Sequence, residues 1–308
     1  MTETRVLVVG YGSIGARHTR LLTDIGCNVA VVSSRGINIS QKYSSLQIAM
    51  LRHRPKLIIV ANKTSEHYNV VSQLANEGYS GDVLVEKPIF DKHIQIPDNC
   101  FRELRVAYNL RFHPMIGRLR ELLVNQNVTS VQAYVGQYLP DWRPHIDYRL
   151  SYSAKADQGG GVLLDLSHEI DYLAWIFGSW RRIAAIGGRM SKLEITSDDV
   201  FSLLYETERC PIINLQLNYL DRLGRRLVII NTAYHTYEVD FFSSRLKVDN
   251  AEIFFPNDRD ISYRAMHAAM LFGDPVNVCT AQEALETLAF CAVARDAAIN
   301  GKWNKKKF

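Results

Sequence analysis

A glycine-rich hexapeptide near the start of the chain has the residue types and spacing needed to hold a phosphate. The residues concerned are Gly10, Gly12, Ser13, Ile14 and Gly15. An apolar run over 5–9 predicts a strand before them, and the apolar spacing over 14–24 predicts a helix after them. In that setting Gly10 makes a tight turn, Gly12 lets the backbone approach a pyrophosphate, and Gly15 allows close helix–strand packing. The pattern predicts a dinucleotide site; the alternative is a glycine turn in an α/β protein without a cofactor.

The residues that follow the second predicted strand indicate which dinucleotide is bound. An NAD site usually places a carboxylate about 20 residues after the glycines, on the ribose 2′-hydroxyl. No Asp or Glu occurs between Ile25 and Ser65. Ser33, Ser34 and Arg35 stand there instead, and two hydroxyls with a guanidinium suit a 2′-phosphate. We therefore expect NADP(H) rather than NAD(H), although Arg35 as a solvated loop residue beside a carboxylate-free NAD site is the alternative.

A lysine stands at the end of a buried strand predicted over 83–86, within the triplet Glu86-Lys87-Pro88. In an open parallel sheet the carboxyl ends of the strands face the ligand crevice. Lys87 would then present an ammonium beside a nicotinamide, where it can stabilise the oxygen of an alcohol or carbonyl. The alternative is a lysine that merely caps the strand in solvent.

A second candidate for chemistry is the helix predicted over 162–177, which follows the glycine triplet 159–161. Asp165, His168 and Tyr172 are spaced to project from one face of such a helix. An imidazole near a carboxylate is a suitable proton acceptor close to neutral pH. The alternative is an ordinary half-buried histidine.

The arrangement of predicted elements indicates two domains. Apolar strands alternate with helices over residues 1–115, which predicts an α/β Rossmann domain with a mostly parallel sheet. Over residues 116–308 successive strands joined by short polar turns predict an α+β domain whose large sheet is an antiparallel meander with one exposed face. We expect the first domain to bind the dinucleotide, and the second to bind substrate and to mediate oligomerisation.

The composition limits the class of protein. With 47% apolar and 22% charged residues among 308, the chain is globular rather than disordered, collagen-like or a coiled coil. Its net charge of +4 is only weak evidence for nucleic-acid binding, so we expect no nucleic-acid partner. Part of that charge lies in a tail at 305–307, which we expect to be solvated. Five cysteines without a CxxC pair predict a reduced, cytoplasmic location and no metal site. No apolar run is long enough for a membrane span, and the N-terminus leaves no room for a signal peptide.

Taken together, these motifs resemble the Gfo/Idh/MocA oxidoreductases, the glucose–fructose oxidoreductase and inositol dehydrogenase family. The matching elements follow one another over nearly the whole chain: GYGSIG at 10–15, the loop at 59–67, Glu86-Lys87-Pro88, the segment 109–114 and the GGG-x-x-x-D-x-x-H pattern at 159–168. The resemblance implies hydride transfer between a nicotinamide and a hydroxyl carbon of a sugar, sugar nucleotide or cyclitol. It also implies a homodimer or homotetramer formed through the second sheet.

The resemblance further implies roles for individual residues. Lys87 matches the family's active-site lysine, His168 its general acid/base, and Asp165 the carboxylate that precedes this histidine and helps to hold substrate. Asn62, His67 and Glu86 match positions that border the cofactor, as does Lys87 itself. Many members space the Asp and the His four residues apart, whereas they are three apart here, so the partner of Asp165 is open.

Aromatic and arginine side chains between residues 138 and 149 predict the substrate class. Aromatic faces stack on sugar rings or nucleobases, and guanidinium forks bind carboxylate or phosphate. We expect an anionic or nucleotide-linked sugar; packing between domains or subunits is the alternative for these side chains. The substrate-binding candidates are Arg111, Trp142, Arg143, Tyr148, Asp165 and His168.

Two other classes of function compete with a dehydrogenase. One is a cofactor-bound sugar sensor that has lost catalysis, which would be expected to lack Lys87 or His168. The other is a non-redox enzyme that keeps its nicotinamide bound and recycles it while cleaving a sugar.

Overall fold

The computed structural model describes residues 3–36 and 38–306, which fold into two compact units. The first unit consists of Met1–Phe112 and Arg259–Leu285, and the second of His113–Asp258 and Glu286–Phe308. The sequence-based boundary at residue 115 assigns 259–285 to the second domain. This segment belongs to the first unit because Met266 and Met270 pack in the first unit's core.

The strands of the described residues are, in chain order, β1 (Arg5–Val9), β2 (Asn28–Val32), β3 (Lys42–Tyr43), β4 (Leu57–Val60), β5 (Asp82–Val85), β6 (Glu103–Val106), β7 (Val128–Gly136), β8 (Trp180–Gly188), β9 (Val200–Thr207), β10 (Ile213–Asn218), β11 (Arg225–Thr232), β12 (Thr236–Asp240), β13 (Arg245–Val248), β14 (Ala251–Phe254), β15 (Cys279–Thr280) and β16 (Asn304–Lys305). The α-helices are α1 (Ser13–Asp24), α2 (Leu46–His53), α3 (Thr64–Asn76), α4 (Pro114–Leu122), α5 (Val162–Asp165), α6 (His168–Phe177), α7 (Ile261–Phe272) and α8 (Ala281–Asn300).

The first unit is built on a seven-stranded sheet in the order β15-β6-β5-β4-β1-β2-β3. Strands β1 to β6 run parallel, and only β15 is antiparallel to its neighbour. β4 and β5 are buried along their whole length, because a parallel sheet is covered on both faces. The predicted Rossmann architecture of this unit is confirmed.

The second unit contains a nine-stranded sheet in the order β14-β13-β12-β11-β7-β10-β9-β8-β16. The predicted antiparallel character is confirmed for every pair except β7 with β10, which run parallel. A simple meander is therefore wrong, because β7 lies between β10 and β11 and separates two runs of antiparallel strands. Burial alternates along β9, as expected for a sheet with one face packed and the other exposed.

The structure differs from two further expectations. The helix predicted over 162–177 is divided into α5 and α6, since Ser167 donates its hydroxyl proton to the carbonyl of Leu164 at 2.8 Å. The expectation of a solvated tail fits Lys305, which is exposed although it lies in β16. It is wrong for Lys306, whose ammonium lies 2.5 Å from a Glu286 carboxylate oxygen. Lys307 lies outside the described residues.

The helices of the described part of the chain do not include one both long and apolar enough to cross a membrane.

Candidate active site

The three glycines of the loop between β1 and α1 differ in their surroundings: two are closely packed and one is open. Gly10 has a φ of +99°, and a Cβ there would lie 2.6 Å from the backbone of Asn62. A Cβ on Gly15 would overlap the carbonyl oxygen of Gly10. A Cβ on Gly12 would meet nothing within 4 Å. The loop therefore needs Gly10 and Gly15 for its own packing, whereas the backbone at Gly12 is open to a ligand, as a dinucleotide requires.

Arg35 lies beside this loop. Its guanidinium donates to the carbonyl of Tyr11 at 3.2 Å, and its backbone N–H donates to the hydroxyl of Ser33 at 3.1 Å. Ser33 is buried at the end of β2, while Ser34 and Arg35 are exposed. The three predicted 2′-phosphate contacts thus sit next to the glycine loop. The residues present fit a dinucleotide, with its pyrophosphate on the N-terminal end of α1.

Lys87 follows β5, at the carboxyl edge of the parallel sheet. Its side chain is half-buried, and its backbone N–H donates to a carboxylate oxygen of Glu86 at 3.2 Å. Glu86 itself is only 7% exposed. The peptide between Lys87 and Pro88 is cis.

Two other predicted cofactor contacts lie at the same edge of the sheet. The amide of Asn62 donates to Glu66 at 3.0 Å. His67 is buried, and its Nδ1 lies 3.1 Å from the carbonyl oxygen of Pro88 and 3.2 Å from that of Ile89. Burial lowers the pKa of His67, which keeps the imidazole neutral. His67 thus holds the turn after Lys87.

Arg111 is buried in the first unit. One of its guanidinium nitrogens lies 3.2 Å from both carboxylate oxygens of Glu283. Burial works against the charge of Glu283, yet Arg111 and donors from Thr280 hold the pKa of that carboxyl below its ordinary value. The structure therefore pairs the buried Arg111 with a partly exposed carboxylate, and the contact of Arg111 with substrate stays a prediction.

In the second unit Asp165 ends α5 and is buried between phenols. One of its oxygens accepts the hydroxyl proton of Tyr219 at 2.6 Å, and Tyr152 also hydrogen-bonds to it. The charge of Asp165, followed by burial, raises the pKa of Tyr152, while burial and then the same charge raise that of Tyr219. Both phenols stay protonated as donors. The partner that the sequence left open is thus a pair of tyrosines.

Two residues of the predicted substrate segment lie against the phenols that hold this carboxylate. The indole of Trp142 packs edge-on against Tyr219, with the ring centroids 5.2 Å apart, and the guanidinium of Arg143 lies 6.0 Å from the ring centroid of Tyr152. The hydroxyl of Tyr148 accepts from the backbone of Glu194 at 3.2 Å. The structure therefore brings Trp142 and Arg143 to the phenols that hold Asp165. Sequence spacing did not indicate this cluster, because Tyr219 lies far along the chain.

His168 is the first residue of α6 and is half-buried. The next residue, Glu169, is fully buried, and one of its oxygens lies 2.9 Å from Nε of Arg226 on β11. A buried charge needs such a partner, and this ion pair ties the start of α6 to the sheet. His168 therefore lies on an anchored helical turn.

Asp198 supports the same region. Its carboxylate accepts from the backbone N–H of Leu163 at 3.2 Å and from Arg295 at 2.9 Å. A Cβ on Gly161 would lie 2.6 Å from that carboxylate. Asp198 thus caps α5 and explains why glycine occupies position 161. The acidic pair at 198–199 was the available signal, but its partners are distant in sequence.

No group of three or more His, Cys, Asp or Glu side chains within the described ranges is arranged to hold a metal ion.

The parallel sheet, the glycine loop and the crossover helices define the class of protein: a dinucleotide-binding Rossmann domain joined to an α+β domain. Two family models match the chain, the "oxidoreductase family, NAD-binding Rossmann fold" over residues 4–101 and the "GFO/IDH/MocA C-terminal domain" over residues 116–237. The chain belongs to the GFO/IDH/MocA family of oxidoreductases.

Several known proteins are similar to this chain in sequence or in structure. An uncharacterized oxidoreductase from Synechocystis sp. is 26% identical over 155 residues, which make up 48% of this chain and 41% of that protein. Among solved structures, GenD2 from gentamicin A biosynthesis in complex with NAD has a TM-score of 0.82 at 19% identity and matches 100% of this chain and 97% of its own. A myo-inositol dehydrogenase from Corynebacterium glutamicum gives 0.78 at 16%, with 99% of each chain matched. The WlbA dehydrogenase from Bordetella pertussis, in complex with NADH and UDP-GlcNAcA, gives 0.78 at 16%, over 99% of this chain and 98% of its own. At these identities the likeness shows a shared fold.

Proposed function

We propose that this protein is a nicotinamide-dependent dehydrogenase or reductase that acts on a hydroxyl carbon of a sugar-type substrate. The observation that carries the proposal is the glycine loop, in which Gly12 opens onto free space while Gly10 and Gly15 are packed. Membership of an oxidoreductase family supports it. A bound nicotinamide supplies the donor or acceptor of a hydride.

The roles of the protein's own residues follow from their chemistry. Lys87 holds the substrate oxygen by its charge. His168 takes the hydroxyl proton in the oxidative direction and returns it in the reductive one. Asp165, held by two phenols, orients a substrate hydroxyl or the residues around it.

His168→Ala and Lys87→Met test the assignment. Loss of a proton-transfer residue typically lowers the rate about 10²–10⁴-fold. We expect H168A to lose turnover by that order while binding the reduced cofactor with the parent dissociation constant. K87M should also lose turnover, because the charge that holds the substrate oxygen is gone. Turnover is measured as net change in the absorbance of the reduced nicotinamide.

Two outcomes contradict this proposal. An H168A protein that turns over at the parent rate removes His168 from the mechanism. Product formed by the parent protein without net nicotinamide turnover indicates the non-redox enzyme instead, and bound cofactor with no product indicates the sensor.

We also propose a preference for NADP(H). Arg35 lies at the glycine loop next to two serine hydroxyls, and no carboxylate occurs between residues 25 and 65 to take the ribose 2′-hydroxyl. A hydrogen bond to a charged group contributes about 1.5–3 kcal/mol. Arg35→Gln should therefore weaken NADPH binding about 10- to 100-fold and leave NADH binding nearly unchanged.

Fluorescence titration of both cofactors measures this preference. Arg52→Gln, which removes an exposed arginine of α2 in the same unit, is the matched control. A parent protein that binds NADH more tightly than NADPH would make the cofactor preference wrong. It would not touch the assignment as an oxidoreductase.

For the substrate we propose an anionic or nucleotide-linked sugar. Trp142 and Arg143 contact the two phenols that hold Asp165, which combines an aromatic face, a guanidinium and hydrogen-bonding groups in one cluster. The nucleotide-sugar acid bound by the WlbA dehydrogenase is a natural first compound to test. A screen of uncharged sugars, sugar acids and nucleotide sugars for turnover separates the classes, and preference for uncharged sugars contradicts the anionic assignment.

We propose, last, a homodimer or homotetramer formed through the exposed face of the second sheet. Ile186 and Leu204 lie on neighbouring strands of that sheet and are 72% and 39% exposed. A cytoplasmic location stays a prediction.

A further inference from the structure

A buried chain of hydrogen bonds connects two histidines to the residue before Lys87. His18 on α1 is fully buried, and its Nε2 lies 2.8 Å from a carboxylate oxygen of Glu86. Its other nitrogen, Nδ1, lies 2.7 Å from Nε2 of His267 on α7, which is also fully buried. The second oxygen of Glu86 accepts the backbone N–H of Lys87. Three elements distant in sequence therefore meet at the strand end that carries the lysine.

The chemistry of these groups fixes which atom donates at the carboxylate. A carboxylate only accepts, so Nε2 of His18 carries a proton and donates it to Glu86. His18 and His267 then share one proton between Nδ1 and Nε2. Burial, followed by the charge of His18, lowers the pKa of His267 well below its ordinary value, so His267 is a neutral imidazole.

A third buried histidine holds the other side of the same turn. Nδ1 of His67 donates to the carbonyls of Pro88 and Ile89, the two residues after Lys87. The backbone is therefore fixed on both sides of Lys87, before it through Glu86 and after it directly.

Apolar side chains could hold the turn around Lys87 at a lower desolvation free energy than buried histidines. Buried polar groups carry a desolvation cost of a few kcal/mol each unless they are hydrogen-bonded, and their bonds fix direction as well as distance. His18, His67 and His267 are all buried. His18 and His67 bond directly to the residues flanking Lys87, and His267 does so through His18. Such an arrangement specifies an orientation rather than mere compactness.

We propose that His18, His267 and His67 form a histidine clamp that positions Lys87 for reaction. The inference rests on the proposed function, since it assumes that Lys87 holds the substrate oxygen. The clamp residues are positioning residues: they act through Glu86 and the turn backbone. Misplacement of a reacting group by about 1 Å can cost on the order of 100-fold in rate, so loosening the clamp should lower kcat.

Substitution of His267 tests the clamp. His267→Leu removes the ring nitrogen that is hydrogen-bonded to His18, whereas His267→Gln places an amide, which can donate or accept, near the position of Nε2. We expect H267L to lower kcat about 10- to 100-fold. The KM for the sugar-type substrate and the dissociation constant of the cofactor should each change less than about threefold. H267Q should recover most of the lost kcat.

His53→Leu is the matched control. His53 is another buried histidine of the first unit, but its Nε2 bonds to the carbonyls of Val6 and Asn28, away from Lys87. Both leucine variants should lower the thermal midpoint, and only H267L should separate kcat from KM. His67→Leu, with His67→Asn as its conservative partner, repeats the test from the α3 side should H267L fail to fold.

The outcomes separate this inference from the proposed function. If K87M abolishes turnover while H267L and H67L behave like H53L, the clamp is wrong and the proposed function stands. If K87M retains full turnover, the proposed function itself fails. Loss of kcat in H267L without recovery in H267Q also contradicts the clamp, because the hydrogen bond between position 267 and His18 would then be irrelevant.

Discussion

At the scale of single residues, the side chains predicted to do chemistry are each held by specific neighbours. Asp165 shows this best, because its carboxylate takes hydrogen bonds from Tyr219 and Tyr152 in a buried setting. A carboxylate with two phenolic donors is fixed in orientation and retains oxygen lone pairs for a further donor. The two tyrosines therefore determine how Asp165 faces any ligand.

Tyr219→Phe should destabilise the second unit and alter substrate binding. Removing one partner of a buried hydrogen bond costs about 1–3 kcal/mol, because the other partner stays buried with its bond unmade. We expect a loss of that size in urea unfolding and a raised KM for substrate. Tyr234→Phe, at a position 83% exposed on the same unit, is the control and should change neither quantity. Equal stability of the two variants would show that the Asp165 bond contributes nothing.

At the scale of elements, the division of α5 from α6 determines how Asp165 and His168 are presented. A continuous helix would fix their relative direction by helical geometry alone. The bond from Ser167 to Leu164 divides the helix, and Asp198 caps α5 while Arg226 anchors α6 through Glu169. Each of the two residues is thus oriented by its own set of contacts.

Two glycine substitutions test this account of the elements. Gly161 has a φ of +122°, and its Cβ would meet the Asp198 carboxylate, so Gly161→Ala should cost about 1–3 kcal/mol of stability. Gly117 lies within α4 with nothing within 4 Å of its Cβ position, so Gly117→Ala should add about 0.5–1 kcal/mol. Denaturant unfolding of both variants measures the contrast. A neutral G161A would mean that the glycine is there for another reason.

The sequence predicted the elements of the first unit well and the site partly, for a physical reason. Strands such as β4 and helices such as α1 reveal themselves by local apolar pattern and by glycine or proline at their ends. The partners Tyr219 and His267 carry no local signal, because only the tertiary fold brings them to their sites. The acidic pair that includes Asp198 is visible in the sequence, but its partners are not. The break after Asp165 was missed because a serine hydroxyl competes with a helix that the apolar pattern alone would continue.

At the scale of the whole molecule, buried neutral histidines make stability depend on pH. Burial lowers the pKa of His53, His67, His113 and His267 relative to the unfolded chain. For His113 the pKa falls to about 4, through burial and then the charge of Arg226. Below about pH 6.5 the unfolded chain binds protons that the folded chain does not, so the stability is complete above that pH and is lost as the pH falls.

His113→Asn should flatten this acid loss in the second unit. His113 caps α4 by accepting from the backbone N–H of Met115, and asparagine keeps an acceptor there without titrating. We expect the free energy of unfolding of the parent, measured by denaturant unfolding, to fall between about pH 6.5 and pH 4 more steeply than that of H113N, by up to about 1.4 kcal/mol per pH unit for one proton. Parallel curves for the two proteins would contradict the assignment of a neutral His113.

The proposed oligomer also belongs to this scale. Leu204→Lys places a charge on the exposed face of β9, where a partner subunit would bury it. We expect the parent to sediment as a dimer or tetramer and L204K to sediment as a monomer with an unchanged circular dichroism spectrum. Leu223→Lys, at an exposed turn position of the same unit, is the control. A monomeric parent makes the proposal wrong.

The division of labour within the glycine loop has a consequence for how such chains diverge. Gly10 and Gly15 are required by the backbone contacts around them, whereas nothing but a ligand constrains Gly12. A descendant that ceased to use its nucleotide would therefore retain the first and third glycines and drift at the second. Position 12 therefore distinguishes conservation for folding from conservation for coenzyme binding. We expect a Gly12→Ala protein to fold but to bind its coenzyme poorly.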